Sequence, residues 1–203
     1  MTSPVPADWL ARLRLGLLPS PQHDSDSGAR PPQPAAVLVP IVDRTGGPTV
    51  LLTARAVNLR QHAGQISFPG GRIEPHDASE CAAALRESHE EIGLDAASIA
   101  VLGYLPDHIV LTGYRITPVI GLLRPDFVLR VDDAEVAEVF EVPLSVICVR
   151  QNFVPRHRLL RGVEVTLLDL IYEGRTIWGA TAVMLLALQR TLNADQRSAS
   201  VTA

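Results

Sequence analysis

From Ala35 onward the chain runs through AAVLVPIV and PTVLLTAR, two apolar, β-branched stretches separated by DRTGG. Runs of this kind bounded by Gly, Asp and Pro predict two strands joined as a hairpin. The strand pattern returns in SIAVLGYL (98–105), YRITPVIGLL (114–123), a short piece around Val139 to Val142, and VEVTLLDLIY (163–172). Two segments carry helical spacing instead, 78–92 and GATAVMLLALQRTL at 179–192. A shorter amphipathic helix over 5–18 places Trp9, Leu10, Leu13 and Leu17 on one side. The stretch after it, Pro19 to Pro34, is rich in Pro, Ser, Asp and Gly and reads as an irregular connector. Strands and helices interleave without the regular alternation of a doubly wound fold. The expected class is therefore α/β of the α+β type, with a mixed sheet covered by helices. The expected organisation is a helix and connector over 1–34, one domain over 35–193, and a tail over 194–203.

Bulk properties narrow the function. A chain of 203 residues that is 47% hydrophobic is long enough for one substantial core. No apolar run has bilayer-spanning length and no secretory signal is visible, so a cytoplasmic location and no membrane partner are expected. The net charge of −4 argues against a general nucleic-acid binder. All 18 basic residues are arginine. Forked guanidinium groups suit phosphate, although coding bias explains the bare count. Cys81 and Cys148 are the only cysteines and read as free thiols.

The helix at 78–92 carries the chemistry. Asp77 is placed to cap it, with Glu80 three residues on, and Gly93 to end it in a left-handed turn. Cys81, Leu85, Ser88 and Ile92 fall on one face, directed to the core. Glu87, Glu90 and Glu91 share a wedge of roughly 100° beside that face. Like charges at this spacing each cost a few tenths of a kcal/mol. A divalent cation offsets that repulsion, and hard oxygen ligands suit Mg²⁺ or Mn²⁺. The pattern points to metal-assisted chemistry on a phosphate ester or anhydride.

Arg86-Glu87-Ser88-His89-Glu90-Glu91-Ile92-Gly93-Leu94 resembles the second half of the Nudix box, REUxEExGU with U a bulky aliphatic residue. Ser88 stands where the first aliphatic residue is usual. Between Gly71 and Arg86 the chain has one residue more than the general box, so Glu74, Asp77 and Glu80 all stand near its first glutamate. Upstream, Leu51-Leu52-Thr53, Arg60, Gly64 and Phe68-Pro69-Gly70-Gly71 resemble the motif of the coenzyme A pyrophosphatase branch of the Nudix hydrolases, with Arg55 in place of its second threonine. The likeness is close over about 45 residues and looser towards the C-terminus.

The resemblance implies a Nudix fold, an α/β/α sandwich, acting on a pyrophosphate linked to another moiety. It implies that Glu87, Glu90 and Glu91 hold Mg²⁺ or Mn²⁺, with the Gly71 carbonyl as a further ligand. Arg86, one turn before Glu90, would steady that carboxylate. Arg55, Arg60 and Arg72, with Gly70 and Gly71 in a turn between strand and helix, are candidate substrate-binding residues. Glu135 and Glu138 are candidate bases on a later loop. His62, His76 and His89 could exchange protons, and Trp178 and Tyr172 could stack on adenine, although surface and core roles explain these residues as well. The expected substrate is coenzyme A or a derivative, cleaved to 3′,5′-ADP and 4′-phosphopantetheine. Rival readings are a hydrolase for ADP-ribose or a dinucleotide cofactor, and a nucleotide-binding module without turnover. A homodimer is compatible with the sequence.

Overall fold

A computed structural model of the chain describes residues 4–23, 31–57, 63–111, 113–160 and 163–194. The elements in order are α1 (Trp9–Gly16), β1 (Gln33–Val42), β2 (Thr49–Arg55), β3 (Ile66–Ser67), β4 (Gly70–Arg72), α2 (Glu80–Ile92), β5 (Ile99–Tyr104), β6 (His108–Ile109), β7 (Tyr114–Leu123), β8 (Val136–Pro143), α3 (Leu144–Ile147), β9 (Phe153–Leu160), β10 (Val163–Tyr172), β11 (Arg175–Trp178) and α4 (Ala180–Leu192).

Strand β1 organises the molecule. It is parallel to β7 along its whole length, from Gln33 opposite Tyr114 to Val42 opposite Leu123. The other pairings are antiparallel, so the eight-stranded sheet is mixed. Every residue of β1 from Ala35 to Val42 is buried, as a strand covered on both faces requires. Its alternate side chains enter two different cores. Ala36, Leu38 and Val42 join Ala83, Ala84 and Ile92 of α2. Val37, Val39 and Ile41 join Leu13 of α1 and Leu185, Leu188 and Leu192 of α4. Helices thus cover both faces, giving the α/β/α arrangement.

The hairpin expected between the first two strands is real but brief. Strands β1 and β2 pair only through Ile41 with Val50 and Val42 with Thr49, and then diverge. The fork is bridged by residues 66–72: β3 pairs with β2, β4 pairs with the start of β1, and the Leu38 N–H donates to the Pro69 carbonyl at 2.9 Å. Gly70-Gly71 is therefore a strand, not the turn expected. Glycine makes this possible, since a Cβ on Gly70 would lie 2.5 Å from the Ala36 carbonyl oxygen and 2.6 Å from Val37 Cα.

The spacing located the 114–123 and 163–172 strands at their observed limits. A second, three-stranded sheet in the order β11-β10-β9 is an addition to the single sheet expected. Near the N-terminus, Trp9, Leu13 and Leu17 enter the α4 core. Leu18 and Tyr104 exchange two backbone hydrogen bonds, at 2.9 and 3.0 Å, fastening the segment after α1 to β5. Among the described residues, no helix is long and apolar enough to cross a membrane.

Candidate active site

Helix α2 starts later than Asp77. Ser79 is its N-cap, its hydroxyl accepting from the Ala82 N–H at 3.1 Å. Asp77 is instead held by Arg86, which donates to it through Nε at 3.0 Å and Nη2 at 2.9 Å. A bidentate ion pair outcompetes the cap because both partners are charged and the carboxylate is 3% exposed. The pair holds Asp77 well down, to about 2. Glu80, the expected partner in the cap, instead pairs with His23, whose Nε2 lies 3.0 Å from its carboxylate Oε1. Glu74 offers its backbone N–H to Asp77 at 2.8 Å. Of the three acidic residues near the box's first glutamate, Asp77 is the one beside Arg86. Gly93 ends the helix in the left-handed conformation, at φ 68°, as expected.

Arg86 has every guanidinium N–H engaged. Besides Asp77, Nη1 donates to Glu87 and to Glu90, both at 2.9 Å, and Nη2 donates to the Arg72 carbonyl at 3.1 Å. One side chain therefore ties the loop before α2, the end of β4 and two of the three glutamates together.

The three glutamates lie in different surroundings. Glu90 is exposed and Glu87 half-buried. Glu91 is 4% exposed, lying in the packed face of the helix and not beside it as expected. Ala83 and Ala84 occupy the centre of that face, and Cys81 and Leu85 sit at its edge. Ser88 is buried with its hydroxyl donating to the Ala84 carbonyl at 2.6 Å, which satisfies a polar atom at an aliphatic position. Glu91 accepts from the Gly70 N–H at 3.2 Å and from Arg55 Nη1 at 3.4 Å. Burial pushes its carboxyl up to about 7; the Gly70 and Arg55 contacts oppose this, while Glu87 and Glu135 add to it. Burial also raises Glu87, opposed by Arg86 and reinforced by Glu90 and Glu135. The Glu87 carboxylate lies against Gly71, where a Cβ would come within 2.5 Å of its Cδ.

The two later carboxylates separate. Glu135, exposed just before β8, is electrostatically coupled to Glu87 and Glu91. Glu138 pairs with Arg175 at 2.5 Å, next to the second sheet, and so does not face the cluster. His89 is turned to the Leu94 carbonyl at 3.2 Å and His76 is exposed, so neither joins the carboxylates. Arg60 and His62 lie outside the described residues.

Beside Gly70 and Gly71 opens a cleft of about 670 Å³, within the range of small-molecule sites. Arg55 and Arg72 line the end nearest the carboxylates. Arg72 lies over the Tyr114 ring, 5.5 Å from its centroid, and donates to the phenol oxygen at 2.6 and 3.0 Å. The far wall comes from β10, β11 and the start of α4, including Leu168, Trp178, Val183 and Met184. Trp178 faces the cleft and Tyr172 does not. Tyr114, Leu168, Val183 and Met184 escaped the sequence reading. Their only signal is apolar periodicity, which marks core and cleft alike.

The profile of the NUDIX domain matches residues 31–160. The chain belongs to the Nudix family. It is 43% identical over 157 residues to an uncharacterized Nudix hydrolase named NudL from Escherichia coli (strain K12), a match covering 76% of this chain and 81% of that one. Two solved structures share the fold. An Ap4A hydrolase binary complex from C. elegans superposes with a TM-score of 0.53 at 15% identity, covering 81% of this chain and 98% of that one. A NUDIX hydrolase from Alicyclobacillus acidocaldarius gives 0.51 at 19%, covering 85% and 97%.

Nudix hydrolases use a divalent cation, and the donor set accords with one. Glu91 is buried and Glu87 half-buried beside Gly70 and Gly71, and Glu135 is electrostatically coupled to both. Among the described residues, no three acidic, histidine or cysteine side chains form a group that could hold an ion by themselves, so water and substrate oxygens would have to complete the coordination. Open coordination completed by water and substrate oxygens is the habit of Mg²⁺.

Proposed function

We propose that this Nudix hydrolase cleaves the diphosphate of coenzyme A and its derivatives, releasing 3′,5′-ADP and 4′-phosphopantetheine. The observation that carries the reading is Glu91. It is a buried carboxylate, crowded by Glu87 and Glu135, bonded to the Gly70 N–H of the FPGG segment that the coenzyme A branch motif contains.

In this reading Glu87, Glu90 and Glu91 hold Mg²⁺ or Mn²⁺, with the Gly71 carbonyl as a further ligand. The ion, when bound, neutralises diphosphate charge and lowers the pKa of a coordinated water. Arg86 keeps Glu87 and Glu90 from swinging away, anchored in turn by Asp77. Arg55 and Arg72, at the cleft end next to Gly70 and Gly71, bind the diphosphate oxygens as forked donors. Glu135 accepts the proton of the attacking water, being the carboxylate coupled to the cluster without a guanidinium contact among the hydrogen bonds described. Glu138, bound to Arg175, is set aside as a base.

Steady-state rates on coenzyme A, ADP-ribose and NADH, each with Mg²⁺ and with Mn²⁺, test the assignment. Coenzyme A is expected to have the highest kcat/KM. A strong preference for ADP-ribose overturns it. Binding of coenzyme A with no phosphopantetheine released at any metal concentration makes the protein a binding module instead.

A further inference from the structure

We propose that Asp132 is a positioning residue: it fastens the turn that presents Glu135 to the carbonyl end of α2, so that the base and the glutamates of that helix keep one geometry. The inference rests on the reading above in which Glu135 takes the proton of the attacking water. It adds how a residue on an exposed loop is kept in place.

Glu135 ends the irregular stretch 124–135 between β7 and β8, and both it and Asp132 are exposed. Exposed connecting segments move more than the elements they join. A displacement of about 1 Å at a reacting group costs on the order of a hundredfold in rate. The end of α2 supplies an anchor, because the last carbonyls of a helix have no partner within it. The Ile92 carbonyl accepts from the Arg130 N–H at 2.8 Å, and the Glu91 carbonyl accepts from the Asp132 N–H at 2.9 Å. Gly93 makes room for this contact, since a Cβ there would lie 2.7 Å from Arg130 Cβ and 2.8 Å from its backbone nitrogen. Phe127 and Leu129 pack against the core beneath the same helix.

Asp132 passes the anchor on to Glu135. Its carboxylate accepts from the Ala134 N–H at 2.9 Å, and its carbonyl accepts from the N–H groups of Glu135 and Val136 at 3.0 and 2.9 Å. Successive amides are thus held by one residue, itself bonded to the backbone of Glu91. On the other side, the Glu135 carbonyl accepts from the Ala56 N–H at 2.8 Å. Val136 lies opposite Arg55, the residue that donates to the Glu91 carboxylate. The Glu135 backbone is therefore tied to Glu91 by two routes, through Asp132 and through the end of β2. Aspartate suits the first route because its short side chain reaches the N–H two residues on. Asparagine can copy that bond and alanine cannot. Asp133, next in the turn and also exposed, holds no backbone N–H among the described hydrogen bonds.

Steady-state rates with Mg²⁺, on whichever of coenzyme A, ADP-ribose and NADH is cleaved fastest, test this without depending on the substrate assigned above. Asp132→Ala is expected to lower kcat about tenfold, part of the roughly 10²–10⁴-fold that a general base contributes, with KM changed less than twofold. Asp132→Asn is expected to recover most of the rate. Asp133→Ala, which removes the same charge from the same turn, is expected to keep it. Glu135→Gln is expected to be about a hundredfold slower or more, and Asp132→Ala/Glu135→Gln no slower than Glu135→Gln alone. Hydrogen exchange in the metal-free protein reads the anchor without turnover. The Ala134, Glu135 and Val136 amides are expected to exchange about tenfold faster in Asp132→Ala and near the wild-type rate in Asp132→Asn. Unchanged exchange or a kcat within twofold of wild type in Asp132→Ala overturns the positioning role. So does an asparagine variant as slow as the alanine one, or losses that multiply in the double variant. Wild-type turnover in Glu135→Gln, or no turnover of any of the three substrates by the unaltered protein, removes Glu135 as the base and this role with it.

Discussion

Glu91 illustrates how one side chain joins folding to chemistry. Its carboxyl, pushed up to about 7 by burial, retains in the folded state a proton that the unfolded chain releases near pH 4.3. Between those values the folded protein binds more protons than the unfolded one. Its stability therefore falls as the pH rises through that window. Metal-free protein is expected to melt at a lower temperature at pH 8 than at pH 5. Glu91→Gln removes this contribution, so the variant is expected to be the more stable of the two at pH 8 and to turn over slower by orders of magnitude. Calorimetric melting in EDTA, paired with steady-state assays, checks both. Wild-type turnover in the variant removes Glu91 from the mechanism, and an unchanged pH slope removes it from the linkage.

At the scale of the element, α2 works as a unit with the segment before it. Arg86 joins Asp77, Glu87, Glu90 and the Arg72 carbonyl through five N–H groups in one plane. Lysine offers three donors on one nitrogen and cannot span those acceptors. Arg86→Lys is expected to lower kcat by roughly ten- to a hundredfold, the usual effect of losing a group that orients metal ligands. Circular dichroism is expected to show the helix intact, and a kcat within twofold of wild type argues against this role. Much of α2 is legible in its sequence, because the carboxylate spacing and the Gly93 stop are local facts. The start is not. Asp77 and Ser79 are both good caps, and the choice turns on Arg86, nine residues from Asp77, claiming the aspartate. Gly70-Gly71 has turn composition, yet pairs as β4 because β1 presents an unfilled edge there. Strand β9 contains Arg156, His157 and Arg158, which mask its pattern until β10 lies alongside. In each case the missing information is a partner distant in sequence.

At the scale of the molecule, α1 is part of the main core. Leu13 is fully buried among the α4 leucines, and Gly16 approaches so closely that a Cβ would lie 2.6 Å from Thr191 Cγ2. Leu13→Ala is expected to cost about 2–5 kcal/mol. Chemical denaturation is expected to show a single transition moved to lower denaturant. A loss below 0.5 kcal/mol, or a separate early transition, would mean that α1 folds apart from the rest. The carboxylate cluster lies on the α2 side of the sheet and the cleft opens towards α4, and they meet at residues 66–72, where β1 and β2 part.

The same β1 strand gives α2 its even-numbered side chains and α4 its odd-numbered ones. Deleting Val37 would shift every residue beyond it by one position and exchange the two sets. Leu38 and Ile41 would turn towards the wrong layers together, and Gly70 would lose its register opposite Val37. Both hydrophobic layers and the backbone beneath Glu91 would fail in a single step, so this short segment is where the gene can least tolerate a change in length.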